Sequence, residues 1–157
     1  MKQNIKLLVV CIAIPLFVGG VSALLTQNGM DIFANVNKPP LSPPAWLFPV
    51  VWTILYTLMG ISSYLVLTSG GDEKAISRGI RLYGYQLAVN FLWPTFFFNL
   101  GWYGFSFLWL VLLWVLVFLM IWSFKDINKM SAYLNIPYLV WLTFAGYLNF
   151  SIWFMNR

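Results

Sequence analysis

The side chains with most to offer a ligand in this chain are a few amides set among many aromatics. Gln86, Asn90, Trp93 and Phe97 recur at intervals of four, three and four, so they share one face of a helix. Trp52 and Tyr56 are four apart and share another. Tyr138, Trp141, Ala145, Leu148 and Asn149 fall within one broad helical stripe. Amides and phenols exchange hydrogen bonds, and indoles stack. A ring of aromatics around a few polar groups is how an apolar ligand site is built. The competing reading is interhelical glue, because a buried amide in lipid must find a partner. Both readings stand at this stage.

Other chemistries lack their residues. There is no histidine, which removes the commonest metal ligand, the usual general base and the usual haem axial ligand. A Ser-His-Asp hydrolase or a metal hydrolase is excluded on the same ground, and no metal site is expected. The single cysteine, Cys11, sits in an apolar run and reads as a small buried residue, with no partner for an internal disulfide. No cofactor is required by any residue pattern.

Five elements must position these groups. Hydrophobic residues make up 61% of the chain and charged ones only 8%, far below the roughly one quarter of a soluble domain. Apolar runs at 7–25, 45–68, 82–98, 102–124 and 131–155 are each near the length needed to span a bilayer. The expected fold is therefore all-α, one integral membrane bundle of five helices over 1–157. The first run, with Lys2 and Lys6 before it and Val21-Ser22-Ala23 near its end, has a signal-peptide reading. It is longer than the usual apolar core of such a peptide, so it is expected to remain as a helix. None of the runs contains Asp, Glu, Lys or Arg. Ion-coupled transport normally needs such residues in the membrane, and no inverted repeat is visible either.

The net charge of +5 is a matter of topology, and no nucleic acid is implied. Lys2, Lys6, Lys74, Arg78, Arg81, Lys125 and Lys129 lie on one side of a five-span arrangement, and only Lys38 and Arg157 on the other. By the positive-inside rule the N-terminus is cytoplasmic and the C-terminus outside, in a bacterial cell membrane. On the outer side, residues 26–44 form a long loop with Pro39, Pro40, Pro43 and Pro44, expected to be extended, stiff and lid-like. Trp52 lies about 10 Å below that end of its helix, and Trp93, Ala145 and Leu148 fall in the same half. Asn90 and Trp141 lie near the middle. Gly19 and Gly20 leave the least bulk at that level of the first helix.

These blocks resemble the translocator protein family, also called tryptophan-rich sensory protein. The resemblance rests on Lys38-Pro39-Pro40-Leu41-Ser42-Pro43-Pro44 with Val51-Trp52-Thr53-Ile54-Leu55-Tyr56-Thr57-Leu58-Met59-Gly60. It rests equally on Gln86-Leu87-Ala88-Val89-Asn90-Phe91-Leu92-Trp93-Pro94 with Phe96-Phe97-Phe98. Pro137-Tyr138-Leu139-Val140-Trp141-Leu142-Thr143-Phe144-Ala145 with Leu148-Asn149 completes it. The resemblance implies a five-helix bundle, usually a homodimer, with a pocket beneath the first loop. Its implied ligands are porphyrins or haem and, as in animal members, isoquinoline or benzodiazepine drugs, alongside membrane lipid. The pocket positions it implies are Trp52, Asn90, Trp93, Trp141, Phe144, Ala145 and Leu148; Tyr56 and Gln86 join them from the helical spacing. Light-dependent breakdown of protoporphyrin, with Trp52 and Trp141 as the implicated residues, is the enzymatic alternative, and tetrapyrrole transport the third. The animal cholesterol motif is not matched, because Asn149-Phe150-Ser151-Ile152-Trp153-Phe154 carries neither its Tyr nor its basic residue. The lid loop contributes Lys38, Pro43 and Pro44, with Lys38 expected to face the carboxylates of a porphyrin.

The charge bias makes a direct prediction. A reporter fused after Arg157 should read out as external, and a cytoplasmic readout would overturn either the span count or the charge argument.

Overall fold

A chain in hydrocarbon must satisfy its backbone amides internally. In this computed structural model, residues 4–157 are described and contain helices and no strand. Lys2, counted in the charge bias, lies outside them. The elements are α1 (Ile5–Thr26), α2 (Gly29–Ala34), α3 (Leu47–Leu67), α4 (Glu73–Pro94), a π-helical turn (Thr95–Asn99), α5 (Tyr103–Ile127), α6 (Lys129–Leu134) and α7 (Ile136–Met155). α1, α3, α5 and the stretch Lys129–Met155 are each long and apolar enough to cross a membrane.

α4 differs from its apolar run. It begins at Glu73 instead of Leu82, because Asp72 caps it by accepting from the Ala75 N–H at 2.9 Å. Its first turns carry exposed Lys74, Arg78 and Arg81, which an apolar window misses. Further along, it buries Tyr83, Gln86, Leu87 and Asn90 against its neighbours. Pro94 has no N–H to continue the α ladder, and the chain widens into the π turn. The fifth run is also divided. Asn128 caps α6 through the Ser131 N–H, and the chain breaks at Asn135, with Pro137 in the first turn of α7.

α1 and α3 cross where side chains are smallest. A Cβ on Gly60 would meet the Ile12 backbone and the Cys11 carbonyl. Pro15 lies four residues after Cys11 and has no N–H to offer that carbonyl, so α1 presents a free backbone edge there. A Cβ on Gly19 would fall within the Tyr56 ring. The room expected at Gly19 is therefore filled by a side chain of α3, and Gly20 faces away from the bundle with nothing near it. α4 packs along α5, and α5 along α7, while α3 rests on α6 rather than along α7.

The loop 26–44 is not simply extended. It folds into α2, and Phe33 docks on Phe97 and Phe98 with ring centroids 5.6 and 5.2 Å apart. Gly29 sits directly on the Phe98 backbone. The backbone of Asn37 pairs twice with the Asn156 side chain, at 3.0 and 2.9 Å, which clasps the loop to the end of α7.

Gly60→Ala should lower the unfolding midpoint in detergent, a loss of about 1–3 kcal/mol from overpacking at a backbone contact. Gly20→Ala is the control and should be neutral or slightly stabilising, since alanine favours the helix and meets nothing there. Equal midpoints for the two variants would refute the crossing.

Candidate functional site

The amides of α4 are engaged by protein. Tyr56 donates its hydroxyl to Asn90 Oδ1 at 3.2 Å, and Asn90 Nδ2 donates to the Tyr138 oxygen at 2.6 Å. Tyr138 then donates to Gln86 Oε1 at 2.8 Å, and Gln86 Nε2 points at Met59 Sδ at 3.7 Å. The chain of donors runs from α3 through α4 and α7 and back to α3. Each of its members is buried. Tyr56, Gln86 and Asn90 thus form a sealed floor, and none of them presents a free polar group to a ligand in this conformation.

A second knot joins α4, α5 and α7. Asn149 Oδ1 accepts from Trp93 Nε1 at 3.1 Å and from Ser106 Oγ at 3.2 Å, while its Nδ2 donates to the Tyr103 carbonyl. Trp93 also stacks on Phe97 at 4.9 Å, beneath the docked Phe33. Leu148 is buried, and Ala145 packs against the core cluster. These three positions hold helices together and do not line an opening.

One opening lies between α3 and α7. A cleft of about 560 Å³ is walled by Val51, Ile54 and Leu55 on one side and Pro137, Val140, Trp141 and Phe144 on the other. Phe48 meets Trp141 edge-on at 5.9 Å, and Trp141 lies 5.6 Å from Phe144. Beside Val51, Trp52 packs on Tyr56 at 5.3 Å and edge-on to Tyr138 at 6.0 Å, joining the cleft wall to the polar floor. The interior indoles divide by their N–H. Trp93, Trp109 and Trp114 donate to Asn149, the Val89 carbonyl and Thr143. Among the described residues, Trp52 and Trp141 donate to no protein acceptor, so both keep a donor for a bound molecule.

Of the predicted residues, Trp141 and Phe144 line the cleft and Trp52 borders it. Sequence reasoning passed over Phe48, Val51 and Val140. Phe48 and Trp52 at a spacing of four would have extended the Trp52–Tyr56 stripe by one turn. In the lid, Lys38 Nζ lies 4.7 Å above the Phe33 ring and donates to the Ala34 carbonyl at 3.2 Å. That cation closes the end of α2, and Pro43 and Pro44 lead into α3 without lining the cleft.

The class so defined is an all-helical integral membrane bundle with an aromatic cleft between two of its spans, floored by a neutral hydrogen-bond chain. The chain belongs to the TspO/MBR family, whose model matches residues 11–154. It is 35% identical over 157 residues to the tryptophan-rich protein TspO of Chlorobaculum tepidum, covering 99% of each chain. It is 40% identical over 124 residues to protein CrtK of Rhodobacter capsulatus, covering 79% of this chain and 78% of that one. It is 35% identical over 143 residues to the translocator protein of Homo sapiens, covering 90% and 83%.

The floor can be tested without a ligand. Tyr138→Phe leaves Asn90 Nδ2 and Gln86 Oε1 without their partner and should cost about 1–3 kcal/mol of stability. Tyr56→Phe removes only a terminal donor and should cost less. Thermal melts of the two variants in the same detergent decide the order; a costlier Tyr56→Phe would reject the chain as drawn.

Proposed function

We propose that this protein is a receptor-like membrane binder of porphyrins and other flat hydrophobic ligands, held in the cleft between α3 and α7. The observation that supports this most is the juxtaposition of Trp141, Phe144 and Phe48, with Trp52 alongside, around an uncharged slot. Flat rings gain both burial and stacking there, and the two unpaired indole N–H groups offer orientation. We place it in a bacterial cell membrane with the N-terminus cytoplasmic. A relative's name, translocator protein, supports a transport reading as well. The position of Trp52 and Trp141 at the cleft favours a second activity, light-dependent oxidative breakdown of a bound protoporphyrin.

With no histidine in the chain, the ring is held by stacking and burial and not by His–iron ligation. Metal-free protoporphyrin should therefore bind about as tightly as haem; a strong preference for haem with an axial-ligand spectrum would count against this. Trp141→Ala removes buried aromatic surface and should weaken porphyrin binding by about 2–3 kcal/mol. Lys38→Ala should leave it unchanged, because the Lys38 ammonium closes the end of α2 and is not part of the cleft lining. Fluorescence titration measures both variants, and an unaffected Trp141→Ala would sink the site. Product analysis after illumination, with Trp52→Phe as control, separates binder from enzyme, and vesicle flux separates both from a transporter.

A further inference from the structure

We propose that the ligand enters the cleft sideways, from the hydrocarbon layer between α3 and α7, while the lid stays shut. This inference rests on the binding reading and adds the route. The lid end is closed by three independent contacts: Phe33 on Phe97 and Phe98, Gly29 against the Phe98 backbone, and the double Asn37–Asn156 clasp. Pro39, within the same loop, is buried. The flank is open. Ile54 is 55% exposed and Val140 64%, on opposite walls of the cleft mouth.

Depth and chemistry agree with a lateral mouth. Trp141 and Phe144 lie about midway along the 27 residues from Lys129 to Met155, so the cleft opens at the level of the acyl chains. No residue that lines it is charged, and its walls are apolar apart from the Trp141 indole N–H. A flat hydrophobic molecule partitions into the bilayer before it meets the protein. From there it reaches Trp141 without breaking a lid contact. α3 leans on α1 and α6 while α7 leans on α5, so the two walls of the mouth have no strong backbone packing to break either.

The test is association kinetics of metal-free protoporphyrin with the full chain in lipid nanodiscs. Val140→Trp narrows the mouth from an exposed position. It should slow association by about tenfold and should not speed dissociation. Asn156→Ala cuts the lid clasp and should leave both rates unchanged. If Val140→Trp does not fold, Ile54→Trp narrows the opposite wall and carries the same expectation. Faster association in Asn156→Ala overturns the route, because it shows the lid to be the barrier. So does a Val140→Trp protein that releases porphyrin faster at an unchanged association rate, since Val140 would then be a contact and not a gate. Absence of saturable binding by the unaltered protein overturns the binding reading, and the route with it. Binding with the opposite kinetic pattern overturns the route alone.

Discussion

The hydrogen-bond chain from Tyr56 through Asn90 and Tyr138 to Gln86 is the constraint around which the bundle is arranged. In hydrocarbon there is no water to take up an unpaired amide, so each of these groups must meet its partner or the helices do not pack. Three helices are thereby fixed in rotation and in height by hydrogen bonds of 2.6–3.2 Å. The first helix is drawn in by the same chain. The Tyr56 ring can reach Asn90 because Gly19 leaves it a place to lie, and Gly60, one turn on, brings the α1 backbone close enough to close that place. The individual bonds are modest, averaging roughly 0.6 kcal/mol between membrane helices. Their value lies in register, since one turn of slippage would orphan every member at once.

A floor built this way also shapes the cleft above it. α3 and α7 are tied through Asn90, which bonds both Tyr56 and Tyr138, and again just before α7, where Asn135 donates to Ser62 at 2.6 Å. Elsewhere α3 follows α1 and α6, and α7 follows α5. Two helices joined at points and guided by different neighbours leave a gap, which Trp141 and Phe144 line with Phe48 packed against Trp141. The amides and phenols that could have drawn water into that gap are already paired to one another. The result is an aromatic slot whose own walls are dry, beside a polar network that is closed.

Much of this was legible in the residues. The apolar runs located the spans, and the spacing of Gln86, Asn90 and Trp93 placed them on one helix, where Gln86 and Asn90 are buried and Trp93 is half-buried. The amides were open to two readings, and Asn90 and Gln86 turn out to be bonded to tyrosines of two other helices. Spacing along one helix could not reveal that, because it says nothing of which neighbour lies opposite. Gly19 misled for a related reason. A glycine marks where bulk is absent on its own helix, and a neighbour's ring can fill the place. The start of α4 was hidden because hydropathy reports the solvent around a helix and not its hydrogen bonds; Asp72 begins the helix in water, well before it enters lipid. The loop was read from its prolines, yet Gly29–Ala34 precedes them and helps itself to an apolar dock on Phe97 and Phe98.

The tryptophans show how one residue type serves three physical purposes. Trp46, Trp102, Trp122 and Trp153 are exposed on the bundle, and the last two turns of α5 place Trp122 beside Lys125, whose ammonium lies 5.3 Å from its ring. These are the amphipathic anchors expected at the edges of a bilayer. Trp93, Trp109 and Trp114 use the indole N–H to tie helix to helix, which costs them their freedom to orient a ligand. Trp52 and Trp141 do neither. They are half-buried, packed against other rings and free at nitrogen. An indole in that state is stabilised by stacking yet still has a donor to give. Leaving it unpaired in a membrane is tolerable only where a bound molecule, or the edge of a mobile lipid, can reach it. It is this difference in what the indole nitrogens do, and not the number of tryptophans, that separates the cleft from the rest of an aromatic-rich bundle.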